Sequence, residues 1–241
     1  MALNMIRNNE IDIAVAGGVD CPIIKNILAG FCATRIVSIK SNDEPEKSSR
    51  PFDKGRDGVI LSEGAGILIL EELKHALDRK VSIYGEICGY GRTSDAYNSF
   101  MPSPDQVQFI RAINFALTES NLENDKVDYI CAWGLSRDIP DINETKAIKK
   151  IFGKRAYKIP ISAVTSMIGQ PLGATGAINC VASLLALKEQ LLPPTINQEQ
   201  KDPECDLDYV PNISRKAKIN NFLLYSFVFG GRNSALVVKK I

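Results

Sequence analysis

The segment Thr165-Ser166-Met167-Ile168-Gly169-Gln170 stands between a strand-like run, "YKIPISAV", and a helix-like run, "GATGAINCVASLLALKEQ". A loop at such a junction is where an α/β protein places its chemistry. Its polar side chains are hydroxyls and an amide, and none of them titrates near neutral pH. Other glycine-bearing turns contribute Trp133, Ser136 and Arg232. The single histidine, His75, lies among charges in "ELKHALDRK" and reads as an exposed helix residue. General-base activation at neutral pH favours a histidine, or a lysine or carboxylate tuned toward neutrality. Hydroxyls and amides can orient a ligand, but without a base they are poor nucleophiles. These turns therefore describe a site better equipped to orient than to move protons.

Charged candidates lie elsewhere. In "PDINET", Asp141 and Glu144 have the three-residue spacing of a capping box, which predicts a helix start with Asp141 at its N-cap. Asp53, Arg56 and Asp57 crowd together just before an apolar strand, with Glu63 close behind, and read as an internally paired loop anchor. The glycines of "SEGAG" and "GATG" fit close helix–sheet packing or a backbone approach to ligand, without phosphate-loop or dinucleotide spacing. The six cysteines are scattered and form no Cys-x-x-Cys pair, and one histidine cannot complete a Cys/His cluster, so no metal site is expected. Cys88, Cys131 and Cys180 sit in apolar surroundings, as small buried hydrophobes in a reducing compartment do.

The elements that must position these residues alternate. The pattern predicts a helix over 1–9, a strand over 11–16 and a turn at Gly17-Gly18, then a long polar loop over 40–58. A nearly continuous apolar strand follows in "GAGILILEEL", running into a short helix, and a further strand in "VSIYGEICGYG". The second series has helices over 105–120, 140–152 and 173–190, strands in "VDYICAW" and over 158–164, and two terminal strands joined by a turn. This rhythm argues for α/β layers with sheets buried between helices. With 241 residues, 45% hydrophobic and 24% charged, the chain is long enough for a sizeable core. Its formal charge of +1 offers no case for a nucleic-acid or anionic-membrane partner. No apolar run reaches membrane-spanning length and no signal peptide is evident, so the expected location is cytoplasmic. The chain begins inside a helix-like element, as a truncated or split protein would.

The ordered series "DIAVAGGVD", "RPFDKGRDGVILSEGAGILILEEL", "VDYICAWGLSRDIPDINETKAIKKIFG", "LGATGAIN" and "FVFGGRNSALVVKK" resembles the elongating beta-ketoacyl-acyl carrier protein synthases. The resemblance implies a duplicated thiolase-like fold with α-β-α-β-α layers. It also implies a first half incomplete at its N-terminus, with residues 1–100 forming that partial half and 101–241 the second. The family condenses an acyl group held on a cysteine with malonyl carried by acyl carrier protein. Two histidines and a lysine support the enolate formed on decarboxylation, where donors must meet negative charge developing on an oxygen.

At the matching positions this sequence has Trp133 and Gln170 for the histidines and Thr165 for the lysine. Leu135 and Arg137 stand where the family has two threonines, and Cys21 and Cys32 do not match the nucleophile. Phe229 matches the family's gating phenylalanine and, with Gly230 and Gly231, marks the substrate pocket. Arg56, Asp57, Glu63, Asp141 and Glu144 follow the family pattern as framework residues. The resemblance implies no cofactor.

The substitutions lead to the expectation of a non-condensing pseudoenzyme, similar to a chain length factor, with none of Trp133, Thr165 or Gln170 competent. Such a subunit would be a homo-oligomer or pair with an active ketosynthase, shape its acyl tunnel and meet acyl carrier protein. The second reading is an active 3-oxoacyl-ACP synthase with an altered site and a nucleophile from another region or chain. A third is a non-enzymatic protein that uses the remaining hydrophobic pocket for an acyl or unrelated ligand.

Overall fold

A computed structural model describes residues 1–99, 101–228 and 230–241. After the short helix α1 (Ala2–Arg7), strand β1 (Ile13–Asp20) pairs antiparallel with β2 (Gly64–Glu71), placing Val15 opposite Ile69 and Gly18 opposite Gly66. Gly17 and Gly18 are therefore strand residues, and the turn expected there is corrected. Between the two strands lie helix α2 (Lys25–Ala33), which carries no side-chain cap and no buried residue, and the long polar loop. That absence of cap and core face is why the sequence pattern gave no sign of α2. Helix α3 (Leu73–Asp78) follows β2, with the Glu72 carboxylate accepting the His75 backbone N–H at 2.7 Å.

The larger sheet has the order β3-β9-β8-β4-β5. Its members are β3 (Glu86–Ser94), β4 (Tyr129–Cys131), β5 (Ile161–Ser162), β8 (Asn221–Val228) and β9 (Arg232–Lys239). Strand β4 is parallel to both β8 and β5, while β9 runs antiparallel to β8 and β3. A small ribbon of β6 (Leu191–Leu192) and β7 (Arg215–Lys216) stands apart.

Strand alternation separates the two faces of this sheet. On β8, Leu223, Tyr225 and Phe227 enter one core with Phe109, Ile113 and Ala116 of α4 (Val107–Glu119) and Ala147 and Ile148 of α5 (Asp138–Phe152). Phe222 and Leu224 enter another core, with Cys180, Ala186 and Leu187 of α7 (Thr175–Glu189). Helix α7 also packs against β1 and β2. The layers are thus the β1–β2 ribbon, α7, the five-stranded sheet, then α4 and α5. Small residues set the spacing between ribbon and helix: a Cβ on Gly18 would lie 2.3 Å from the Gly173 carbonyl, and one on Gly66 2.7 Å from the Ala177 backbone. The outer face of the ribbon leaves Val15, Val19, Ile67 and Ile69 more than half exposed. Among the described residues, no helix is long and apolar enough to cross a membrane.

Candidate active site

Strand β4 ends at Cys131 and delivers the loop 133–137 over the start of α5. That loop bends through left-handed backbone at Gly134 (φ 50°) and Ser136 (φ 59°). At Gly134 a side chain is excluded twice, since an added Cβ would also lie 2.5 Å from Cβ of Ala163. The bend leaves backbone N–H groups inside the protein, and such donors require partners. Glu144 supplies two, accepting from Trp133 N at 2.8 Å and Gly134 N at 3.1 Å. Asp141 accepts from Leu135 N at 3.0 Å and from Phe52 N, on the polar loop, at 2.9 Å. The predicted helix start is therefore displaced. Arg137 is the N-cap, α5 begins at Asp138, and Asp141 lies within the first turn, reaching to other segments instead of capping its own helix.

Both carboxyls are fully buried. Burial, reinforced by the neighbouring Asp141 charge, pushes Glu144 up to about 8 against the pull of its two backbone donors. Burial likewise lifts Asp141 to about 6, opposed by the Phe52 N–H and by the Arg56 guanidinium. Arg56 is buried among acids, with Asp202 at 2.7 Å, Asp138 at 3.4 Å and Asp141 at 3.6 Å. Asp57 lies farther out: burial raises its carboxyl, but donors from Ser38 Oγ, Ile39 N and Lys40 N outweigh that and leave it lowered. Glu63 accepts from Ile23 N at 3.2 Å and does not reach the loop 133–137 group.

The second segment arrives on α6 (Thr165–Ile168), directly after β5. Thr165 Oγ1 donates to the Gly134 carbonyl at 2.7 Å and lies 3.4 Å from that of Trp133, joining the two loops. Gly169 turns the chain in left-handed backbone (φ 72°), and Gln170 N then donates to the Ile60 carbonyl at 2.7 Å. The Gln170 amide oxygen accepts from Thr175 Oγ1. A third segment follows β8. Phe229 lies outside the described residues; Gly230 N donates to Ser99 O at 2.8 Å and Gly231 O accepts Asp95 N at 2.7 Å. Asn233 Nδ2 donates to Asp95 Oδ1 at 2.6 Å. A cavity of about 10 Å³, lined by Glu144, Asn233, Asp95, Ser103 and Phe227 among others, joins this segment to the Trp133 loop through Glu144. A cleft of about 820 Å³ lies elsewhere, between α1, β2, α3 and α7, and none of the sequence-predicted site residues lines it.

The structure thus brings Trp133 and Thr165 together directly, attaches Gln170 to the same segment, and makes Glu144 and Asp141 their support. Sequence reasoning missed the Asp95–Asn233 pair and the clamp on the polar loop. There, Asn197 Nδ2 holds the Glu46 and Ser49 carbonyls at 2.8 Å, and Asp53 accepts from Glu199 N and Gln200 N at 2.7 and 2.5 Å. The one available signal was the density of amides and acids in "TINQEQ" facing a loop of matching polarity.

The profile described as "Beta-ketoacyl synthase, N-terminal domain" matches residues 1–76, and "Beta-ketoacyl synthase, C-terminal domain" matches residues 84–199. The chain belongs to the beta-ketoacyl synthase family. The "3-oxoacyl-[acyl-carrier-protein] synthase 2" of Coxiella burnetii is 45% identical over 240 residues, covering 100% of this chain and 58% of the relative. That of Synechocystis sp. is 46% identical over 239 residues, covering 99% and 57%. This beta-ketoacyl synthase chain thus spans under three-fifths of the length of these relatives. Among solved structures, a type II polyketide acyl carrier protein in complex with its ketosynthase (AntDE:AntF) superposes with TM-score 0.97 at 37% identity, over 100% of this chain and 59% of that one. The ishigamide ketosynthase/chain length factor gives 0.91 at 35%, over 99% and 56%.

These matches correct two expectations. Both domains of the family are represented, so the thiolase-like fold has both an N-terminal and a C-terminal half here, and the reading of an incomplete first half is dropped. The reading of a degenerate subunit, a pseudoenzyme resembling a chain length factor, is overturned by 45–46% identity to named synthases along the whole chain. That reading gave three side chains more weight than the scaffold around them. The buried acids that shape the loop are intact, and a site can exchange donors without losing its frame.

Proposed function

We propose that this chain serves decarboxylative condensation as a 3-oxoacyl-acyl carrier protein synthase, with residues 1–100 and 101–241 contributing its two halves. The observation that carries this reading is the joining of the Trp133 and Thr165–Gln170 loops over Glu144 and Asp141. In the step proposed, malonyl thioester loses its carboxyl carbon as carbon dioxide. The pair from the broken C–C bond forms an enolate whose charge rests on the thioester oxygen. The enolate carbon then bonds to the carbonyl carbon of the acyl thioester, and the thiolate leaves. N–H donors at Trp133 and Gln170 suit the enolate oxygen. Thr165, tied to the Gly134 carbonyl, positions the loop, while Gly230 and Gly231, beside Phe229, border the acyl pocket.

The acyl-bearing thiol comes from outside residues 1–241. Burial pushes Cys131 up to about 11 and Cys180 and Cys205 up to about 12, which keeps those thiols protonated. Acyl carrier protein delivers both substrates, and the chain works in a ketosynthase-type oligomer, either with itself or with a second synthase chain. Six free cysteines suit the reducing cytoplasm.

The test mixes the protein with acyl- and malonyl-acyl carrier protein, alone and with a second synthase polypeptide carrying a reactive cysteine, and follows 3-oxoacyl product by intact-protein mass spectrometry. Product in either arm supports the reading. Malonyl-acyl carrier protein left unconsumed in both arms overturns it.

A further inference from the structure

The peptide Ser49-Arg50-Pro51-Phe52, at the end of the polar loop, is bonded to both loops of the candidate site. Ser49 Oγ donates to the Thr165 carbonyl at 2.9 Å, and the Arg50 N–H donates to Ser136 Oγ at 3.1 Å. Pro51 fills the space beside Gly134, where an added Cβ would come within 3.1 Å of the proline Cβ. The Phe52 N–H donates to one oxygen of Asp141 at 2.9 Å, while the other oxygen takes Leu135 N at 3.0 Å. Phe52 itself stands in left-handed backbone at φ 64°, which a bulky side chain rarely adopts. Such a conformation persists only where its surroundings over-determine it. Here they do. The ring is 1% exposed and stacks on Tyr209 with centroids 3.9 Å apart, and the Tyr209 hydroxyl meets Thr145 Oγ1 of α5 at 2.7 Å.

A second segment holds this strip in turn. Asn197 Nδ2 donates to the Ser49 carbonyl at 2.8 Å, Gln198 Nε2 donates to the Pro51 carbonyl, and Arg50 pairs with Glu199 at 2.8 Å. Among the described residues the Asn197 side chain bonds to neither site loop; its two acceptors are the Glu46 and Ser49 carbonyls. Resting on the function proposed above, we infer that residues 49–52 set the separation and angle of the Trp133 and Thr165 loops, with Asn197 as a positioning residue that acts through them. Between the loops themselves, the Thr165 hydroxyl on the Gly134 carbonyl at 2.7 Å is a point about which they could hinge. The strip removes that freedom, with Ser49 on one loop and Arg50, Pro51 and Phe52 on the other. A misplacement of about 1 Å at reacting groups is worth about 100-fold in rate. The strip therefore acts on turnover and leaves substrate binding unchanged.

Asn197 stands at φ 64°, so Asn197→Gly deletes the two clamp bonds and leaves the backbone unstrained. The condensation assay described above is run on Asn197→Gly, Ser49→Ala and Ser49→Thr, beside hydrogen exchange read peptide by peptide by mass spectrometry. Asn197→Gly and Ser49→Ala are each expected to lower kcat about 10-fold with KM within twofold of the parent. Ser49→Thr keeps a hydroxyl and is expected to recover most of the rate. The double variant Asn197→Gly, Ser49→Ala should be no slower than the worse single one, because both changes act through one element. Exchange should quicken in residues 133–137 and 165–169 in Asn197→Gly, although Asn197 bonds to neither loop. Unchanged exchange in both loops overturns the inference alone, as does an Asn197→Gly kcat within twofold of the parent or a Ser49→Thr no faster than Ser49→Ala. A parent that makes no product overturns the function itself, and the exchange result then decides the positioning role without it. Ser49→Ala removes only a half-buried hydroxyl and carries the same test where Asn197→Gly folds poorly.

Discussion

Replacing Glu144 by glutamine isolates what a buried carboxyl does for the candidate site. Both oxygens of Glu144 accept backbone N–H groups, from Trp133 at 2.8 Å and Gly134 at 3.1 Å. Glutamine keeps one acceptor and turns an NH₂ toward the other donor, so one buried N–H loses its partner at a cost of about 1–3 kcal/mol. The pH dependence supplies a second signature. Glu144 is raised from 4.5 to about 8 in the folded protein, so the folded state holds a proton that the unfolded chain releases at lower pH. The stability tied to that proton is complete below the unfolded value and is lost as pH rises toward about 8, at up to about 1.4 kcal/mol per pH unit. Asp141 contributes in the same direction, but only up to about 6, so a window from pH 6.5 to 8 isolates Glu144. Glu144→Gln should therefore be less stable than the parent at pH 6.5 by about 1–3 kcal/mol, with the gap closing as pH approaches 8. Urea unfolding followed by the fluorescence of Trp133 measures this on the loop concerned. A variant as stable as the parent at pH 6.5, or one with the parent's pH slope across the window, would refute the reasoning.

Three further outcomes follow from the same geometry. Gly134→Ala must hold an L residue at φ 50° with its Cβ against Ala163, and should lower stability by at least about 1–2 kcal/mol in thermal unfolding. Thr165→Val removes the 2.7 Å bond to the Gly134 carbonyl at nearly constant volume; the expected loss is about 0.5–1.5 kcal/mol, with faster amide exchange confined to residues 133–137 and 165–169. Arg56→Met takes the cation from Asp141 and Asp202, and should cost about 3–5 kcal/mol at neutral pH, with part of the loss recovered in acid as Asp141 takes up a proton, seen as a smaller denaturation gap at pH 5 than at pH 7.5.

The layered α/β class was legible because strand and helix periods alternate clearly from Val107 onward. Boundaries fared worse where tertiary contacts, not local pattern, decide them. Gly17 and Gly18 look like a turn in one dimension; in three, Gly18 is the flat surface on which the Gly173 backbone rests. The strand read over 158–164 shrinks to Ile161–Ser162 because Ala163 and beyond already belong to the site loop. At the site, the positions of Trp133, Thr165 and Gln170 could be read from the order of segments around them. What could not be read was that the Trp133 indole N–H is left without a partner among the described residues, or that Asp141 reaches to Phe52 rather than to its own helix. Those depend on which distant backbone groups are left over, and no spacing rule reports leftovers.

The outer face of the β1–β2 ribbon has a consequence for colloidal behaviour. Val15, Val19, Ile67 and Ile69 form an unbroken water-facing apolar strip, while the chain's net charge is only +1 at pH 7. Charge repulsion near neutrality is thus too weak to keep two such strips apart, and ionic strength has little repulsion left to screen. Turbidity should be governed by concentration and temperature rather than by salt. A single charged residue in place of Val15 or Ile69 should do more to keep solutions clear than any change of buffer.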